Sequence, residues 1–147
     1  MINILLADDH TLFRNVIVPL IDAEPDMKVI GEASSGAETI ELSKTLQPDL
    51  ILLDFGLPEV SGLEAMRSIL ADRPKTKVVF LTAFADRGQL IEAIRDGAKG
   101  YIVKDVTVAE LLEFIRGVDH GEMAISPRLT KRLTTAERSR LPARKAH

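Results

Sequence analysis

Short runs of consecutive apolar residues alternate along the chain with longer segments whose apolar positions recur every three or four residues. The short runs read as strands: "INILLAD" (2–8), "MKVIGEA" (27–33), "DLILLD" (49–54), "TKVVFLTA" (76–83) and "AKGYIVK" (98–104). The longer segments read as helices over 10–23, 36–47, 61–73, 86–97 and 107–121. Pro19 lies inside the first of these and predicts a kink or an early break, because proline removes a backbone donor and clashes one turn back. In the second, Ile40 and Leu46 face inward, with Glu38, Glu41 and Lys44 outward. Ser61, Asp86 and Thr107 are candidate N-caps, and Glu64 and Glu110 stand where a capping box needs them. Gly97 is a candidate C-terminal stop.

Strict strand–helix alternation predicts an α/β fold with a parallel sheet covered on both faces by right-handed crossovers. Helices on both faces explain why "LILL" (50–53) carries no polar residue at all. After Gly121 the pattern fades into "EMAISPRLTKRLTTAERSRLPARKAH", read as a basic linker or tail over 122–147, partly helical around 127–141.

Composition narrows the class. The chain has 147 residues, 46% hydrophobic and 28% charged, enough for one ordinary domain with a core. It has no cysteine, which excludes disulfides and thiolate metal sites and fits a reducing, cytoplasmic setting. The N-terminal "MINILLADDH" has no basic flank of a signal peptide, and no apolar stretch reaches membrane-spanning length. Charge is uneven. Residues 1–120 hold twelve Lys and Arg against twenty Asp and Glu, a balance of −8, whereas residues 121–147 hold seven against two, a balance of +5. An acidic body disfavours direct nucleic-acid binding, and the basic tail reads as a solvated segment.

In a sheet of this kind ligands bind beyond the carboxyl ends of the strands. Those ends carry Asp8 and Asp9, Asp54, Thr82 and Lys104. Singly, most have ordinary explanations: a turn, a strand-favouring Thr, a solvated Lys. Jointly they do not. Three converging carboxylates repel one another, and a hard divalent cation such as Mg²⁺ relieves that repulsion through oxygen ligands. Asp54 is then a carboxylate nucleophile able to form an acyl phosphate, with Lys104 supplying positive charge and Thr82 a hydrogen bond. Asp54 is expected to stand exposed at the mouth of an acidic pocket. No glycine-rich phosphate loop is present, so a nucleotide is not the obvious donor.

The motifs "DDH", "DFGLPEVSG", "LTA" and "YIVKD", in that order at successive strand ends, resemble the receiver domain of two-component response regulators over residues 1–121. The resemblance implies a flavodoxin-like (CheY-like) doubly wound sheet of five parallel strands in order 2-1-3-4-5 with five helices. It implies a non-enzymatic signalling switch in which a sensor histidine kinase phosphorylates Asp54 with Mg²⁺. Asp9 and Asp54 would ligate the metal directly, Asp8 through water, and the Gly56 carbonyl would complete the protein ligands. Thr82 and Lys104 would contact the phosphoryl group, and Tyr101 would be the switch aromatic, turning inward with Thr82. The alternative for Tyr101 is a half-buried strand aromatic with its hydroxyl in water.

Two departures stand out. Gly56 lacks the polar side chain that many relatives carry there, which bears on the lifetime of the phosphoryl group. Asp105 follows Lys104 where many relatives have proline; a cis bond there costs about 3 kcal/mol, so trans and strained cis both stay open. Lysine followed by a polar residue, and "AEPDMKVIGEASSG", resemble the LuxR/FixJ-type (NarL-like) subfamily, whose output is a helix-turn-helix domain. Residues 122–147 are too few for that domain, so DNA binding would need an output domain not present here; a stand-alone receiver acting through protein contacts is the alternative. A phosphohydrolase would place its nucleophile and acid two residues apart after the first strand, which "DDH" does not. A homodimer could use helices one and five, where Leu12, Phe13, Val16, Leu111, Leu112 and Ile115 are expected mostly in the core, or the helix four–strand five–helix five face.

Overall fold

A computed structural model describes residues 1–127 and 129. The elements run β1 (Ile2–Ala7), α1 (Thr11–Asp22), β2 (Met27–Ala33), α2 (Gly36–Leu46), β3 (Leu50–Leu53), α3 (Gly62–Asp72), β4 (Lys77–Thr82), α4 (Arg87–Arg95), β5 (Gly100–Val103), α5 (Val108–Asp119) and β6 (Ala124–Ile125). The sheet order is β2-β1-β3-β4-β5-β6, parallel throughout. The expected order 2-1-3-4-5 is therefore present, extended by a short sixth strand.

Successive strand residues point to opposite faces. Ile51 and Leu53 enter one core with Met66 and Ile69 of α3 and Leu90 and Ala93 of α4. Leu50 and Leu52 enter the other with Ile17 and Ile21 of α1 and Leu111, Ile115 and Val118 of α5. All four residues of β3 are fully buried, which is why that run contains no polar residue. Fully burying a Leu or Ile stabilises by about 1.5–3 kcal/mol, so the central strands are the main hydrophobic contribution.

The predicted N-caps form, although the capping box expected at Ser61 and Glu64 closes only on its Ser61 half. Ser61, Asp86 and Thr107 each accept from the backbone N–H three residues on, at 3.2, 2.9 and 3.1 Å. Glu110 closes the reciprocal half of the capping box at Thr107 N, 2.9 Å. Gly97 has φ +116°, a conformation that favours glycine. Pro19 does not break α1, which continues to Asp22; its ring lies on the exposed side, away from the sheet. In α2 the deepest positions are Gly36, Thr39 and Ser43, while Ile40 and Leu46 are half-buried. Small residues are needed there because the neighbouring chain comes close: a Cβ on Gly36 would lie 2.0 Å from the Val60 carbonyl oxygen. No cis peptide occurs among the described residues, so the Lys104–Asp105 bond is trans.

The sheet does not stop where the hydrophobic pattern fades. Ala124 N donates to Lys99 O at 3.0 Å and Ser126 N to Tyr101 O at 3.2 Å. Ser126 Oγ accepts from Val103 N at 3.0 Å in a buried position. Met123, Ile125 and Leu129 join the α3–α4 side core. A two-residue strand is too short to show a periodicity, so only its pairing with β5 reveals it. The remainder of the helical expectation around 127–141, and most of the basic tail, lie outside the described residues. Arg116 on α5 donates to Asp26 at 2.8 and 3.0 Å and to Glu24 at 2.7 Å, tying that helix to the turn before β2.

A chain ending at Gly121 is expected to unfold at lower denaturant than one ending after Leu129, with a loss of about 2 kcal/mol or more from the three apolar side chains removed. Urea titration followed by circular dichroism measures it; equal midpoints would place the domain boundary at Gly121.

Candidate functional site

Four strand ends meet at the carboxyl edge, each fixed by backbone bonds. Asp8 N donates to Ala33 O at 2.9 Å, Asp54 N to Ala7 O at 2.9 Å, and Lys104 N to Thr82 O at 2.7 Å. The start of α3 is drawn close as well: a Cβ on Gly62 would lie 2.4 Å from the Asp54 carbonyl oxygen, so that position tolerates only glycine without a backbone shift.

The side chains converge as the sequence predicts. One ligand atom each from Asp8, Asp9, His10 and Asp54 fall within 4.8 Å of one another. Lys104 Nζ lies 2.5 Å from Asp8 Oδ2 and 3.5 Å from Asp54 Oδ2. Asp8 Oδ2 is buried and engaged by the Lys104 ammonium as an ion pair. Oxygen donors of this kind suit a hard divalent cation, so Asp8, Asp9 and Asp54 fit one. Gly56 N donates to Asp54 Oδ1 at 3.1 Å. A Cβ at Gly56 would meet only that Oδ1, at 4.0 Å, so the wall there is open space.

Two expectations change. Asp54 is not exposed at a mouth: it is 7% exposed and forms the floor of the site. Asp8, Lys104 and the His10 ring close over it. Burial raises the Asp54 carboxyl above its ordinary value, aided by Asp8 and Asp9 and opposed by the Gly56 N–H and by Lys104. Tyr101 is not half-buried either. It is 0% exposed, its ring meets Phe55 edge-on at 6.3 Å, and its hydroxyl donates to Gln89 Oε1 at 2.9 Å. Burial pushes that phenol up to about 12. Thr82 is buried beside the site, its hydroxyl 3.4 Å from Phe84 O.

Sequence reasoning did not assign His10, Phe13 or Gln89. The His10 Nδ1 stands 3.0 Å from Asp8 Oδ1 and 3.4 Å from Asp9 Oδ1. Its position directly after "DD", at the N-cap of α1, was the available signal. Phe13, one turn further on, lies 4.7 Å beneath Lys104 Nζ in a cation–π contact. Leu111, Leu112 and Ile115 are core, as expected, but Leu12 and Val16 are not: they are 82% and 62% exposed, and Phe13 is half-buried.

A cavity of about 440 Å³ opens over Asp54, between Gly56 and the loop Ala83–Asp86, with Gln89 on its wall. A second cavity of about 450 Å³ lies at the opposite, amino edge among Asp49, Arg73, Lys75 and Asp119. Its charges are mixed, and Lys77 Nζ there is already held by Asp119 O at 2.8 Å. The first cavity is lined by Asp9, Asp54 and Thr82 of the candidate site.

A parallel sheet between five helices, with an acidic cluster at its carboxyl edge, is the arrangement of a receiver-type fold. The sequence profile described as "Response regulator receiver domain" matches residues 4–116, and the chain belongs to that family. Among curated proteins it is 43% identical over 121 residues to the transcriptional regulatory protein YxjL of Bacillus subtilis, covering 82% of this chain and 56% of that protein. It is 37% identical over 136 residues to the nitrate/nitrite response regulator NarL of Escherichia coli, covering 92% and 63%. The chain thus spans little more than half the length of these relatives. Among solved structures, a LuxR-family two-component response regulator from Aurantimonas superimposes with a TM-score of 0.88 at 29% identity, covering 95% of this chain and 99% of that one. The family resemblance and the NarL/LuxR-type kinship read from the motifs are borne out.

The raised Asp54 carboxyl has a consequence for stability. Its contribution is full below the unfolded-state value near 3.8 and is lost as pH rises through the higher folded value. At pH 7 the ionised group therefore costs stability. Asp54→Asn is expected to be more stable than wild type at pH 7, with the gap closing toward pH 4. Thermal melts across that range test it; a mutant less stable at pH 7 overturns it.

Proposed function

We propose that the chain is the phospho-acceptor module of a cytoplasmic two-component relay, with Asp54 as the acceptor. One observation carries this reading: the Asp8 and Asp9 carboxylates and the Lys104 ammonium gathered around Asp54 at the floor of an open cavity. Asp8, Asp9 and Asp54, with the Gly56 carbonyl, would hold Mg²⁺. That ion would supply charge neutralisation for the incoming phosphoryl oxygens.

The chain's own groups do the rest. An Asp54 carboxylate oxygen attacks phosphorus, forming the O–P bond as the P–N bond of a phosphohistidine donor breaks. The P–N electron pair leaves on the donor imidazole, which takes a proton. Lys104 Nζ, held between Asp8 and Asp54, is placed to neutralise charge on the transferred group. The Thr82 hydroxyl is free to leave its long 3.4 Å contact and donate to a phosphoryl oxygen. Tyr101 occupies the position of the switch aromatic on β5. The donor would be a sensor histidine kinase. The intact protein would be a transcription regulator whose DNA contacts come from an output domain; a stand-alone receiver is the alternative.

Acetyl phosphate with Mg²⁺ is expected to add one phosphoryl group to wild type and none to Asp54→Ala, read as a single 80 Da increment by intact-mass spectrometry. Labelling of both to the same extent refutes the assignment. Removing Mg²⁺ with EDTA should slow labelling by a factor of about 100 or more.

For a homodimer, one observation favours the α1–α5 face. Leu12, Val16 and Leu20, spaced one helical turn apart, are 82%, 62% and 40% exposed. The competing β5 edge is occupied by β6. Leu12→Glu with Val16→Glu is expected to convert a phosphorylated dimer to monomer in light scattering, without changing the extent of labelling. A dimer that survives both substitutions would exclude this face.

A further inference from the structure

Tyr101 is held at three points. Its backbone carbonyl accepts from Ser126 N of the segment that follows β6, at 3.2 Å. Its ring stands edge-on to Phe55, the residue after Asp54, at 6.3 Å and 68°. Its hydroxyl donates to Gln89 Oε1 at 2.9 Å. The side chain is completely buried.

Of these three restraints only the Gln89 contact is polar and involves the side chain; the Asp86 backbone and the Thr82 side chain also lie in polar reach of the phenol, but Gln89 Oε1 is the acceptor at 2.9 Å. A phenol hydroxyl without exposure needs an acceptor, because an unpaired buried donor costs more than one left in water. Gln89 is well placed to supply it. Its backbone N–H is pinned to Asp86 Oδ1 at 2.9 Å, in the first turn of α4. Its side chain is half-buried on the wall of the cavity that also exposes Asp54 and Thr82.

We propose that Gln89 is a positioning residue that holds Tyr101 inward while Asp54 is unmodified. The inward position of the aromatic is then set by an acceptor on α4 and does not wait for a phosphoryl group. Removing that acceptor restores a ring whose position depends on modification. This last step rests on the reading of Asp54 as phospho-acceptor; the Gln89–Tyr101 bond itself does not.

The chain is suited to a direct test, since it has one tyrosine and no tryptophan, so emission near 305 nm comes from Tyr101 alone. Acrylamide quenching should be weak in wild type and nearly unchanged by acetyl phosphate with Mg²⁺. Gln89→Leu is expected to raise the quenching constant of the unmodified protein by about threefold or more, as the outward population grows. Gln89→Glu, which keeps an acceptor, should stay at the wild-type value. In Gln89→Leu, phosphorylation should bring quenching back toward wild type. Equal quenching in wild type and Gln89→Leu overturns the proposal, as does strong quenching in Gln89→Glu. Because Gln89→Leu could also loosen the fold, melts of Gln89→Leu, Tyr101→Phe and the double variant close a cycle. A bond between the two side chains requires the double variant to lose less than the sum of the singles; strict additivity overturns it. If no variant is labelled, the acceptor reading fails, while the quenching of the unmodified proteins still decides Gln89.

Discussion

Holding the buried Asp8 and Asp54 carboxylates side by side is the constraint around which the rest of the molecule is arranged. Two buried carboxylates repel, and neither is well solvated. Lys104 bridges them, at 2.5 and 3.5 Å. The bridge works only if β1, β3 and β5 end at the same level. Strand register fixes that level: Ala7 pairs with Leu53, and Thr82 with Val103, directly before the three charged residues. The compensation is incomplete, since burial still raises the Asp54 carboxyl. A site that carries a residual cost of this kind is poised to bind a cation or transfer its charge, and perturbed groups of this sort mark functional sites.

The same edge shows how reactivity and signalling share parts. Asp54 is followed by Phe55, whose ring packs on Phe80 and Tyr101. Tyr101 lies on β5, whose far edge is closed by β6 and Ser126. A change at Asp54 therefore has a short, packed route to the segment where the described chain ends.

Much of the fold was legible because it rests on local rules. A four-residue apolar run with polar ends, too short for a helix, fits a strand covered on both sides, and "LILL" is buried on both. Ser61, Asp86 and Thr107 act within their own first turns, so their caps could be read without knowing the fold. The carboxylate cluster was legible one step further on, because a parallel sheet brings strand ends together whatever lies between them. Pro19 marks the limit of such rules. A proline on the exposed side of a helix packed against a sheet loses one backbone bond while its apolar neighbours Ile17 and Ile21 keep the helix in place.

The sequence by itself determined the alternation of strands and helices, the caps, the polar groups at the strand ends and the family they resemble. Each depends on residues adjacent in the chain or on one topological rule. Only tertiary structure decided that Asp54 is a floor, that Tyr101 is buried against Gln89, that β6 completes the sheet, and that Leu12 and Val16 face outward. Those are outcomes of contacts between residues distant in sequence. Tyr101 meets Phe55 and Ser126, and Ala124 meets Lys99, because the packed sheet brings them within reach. A helix with apolar residues on more than one face does not say which face the sheet will cover; competition with α5 for the same core settles it.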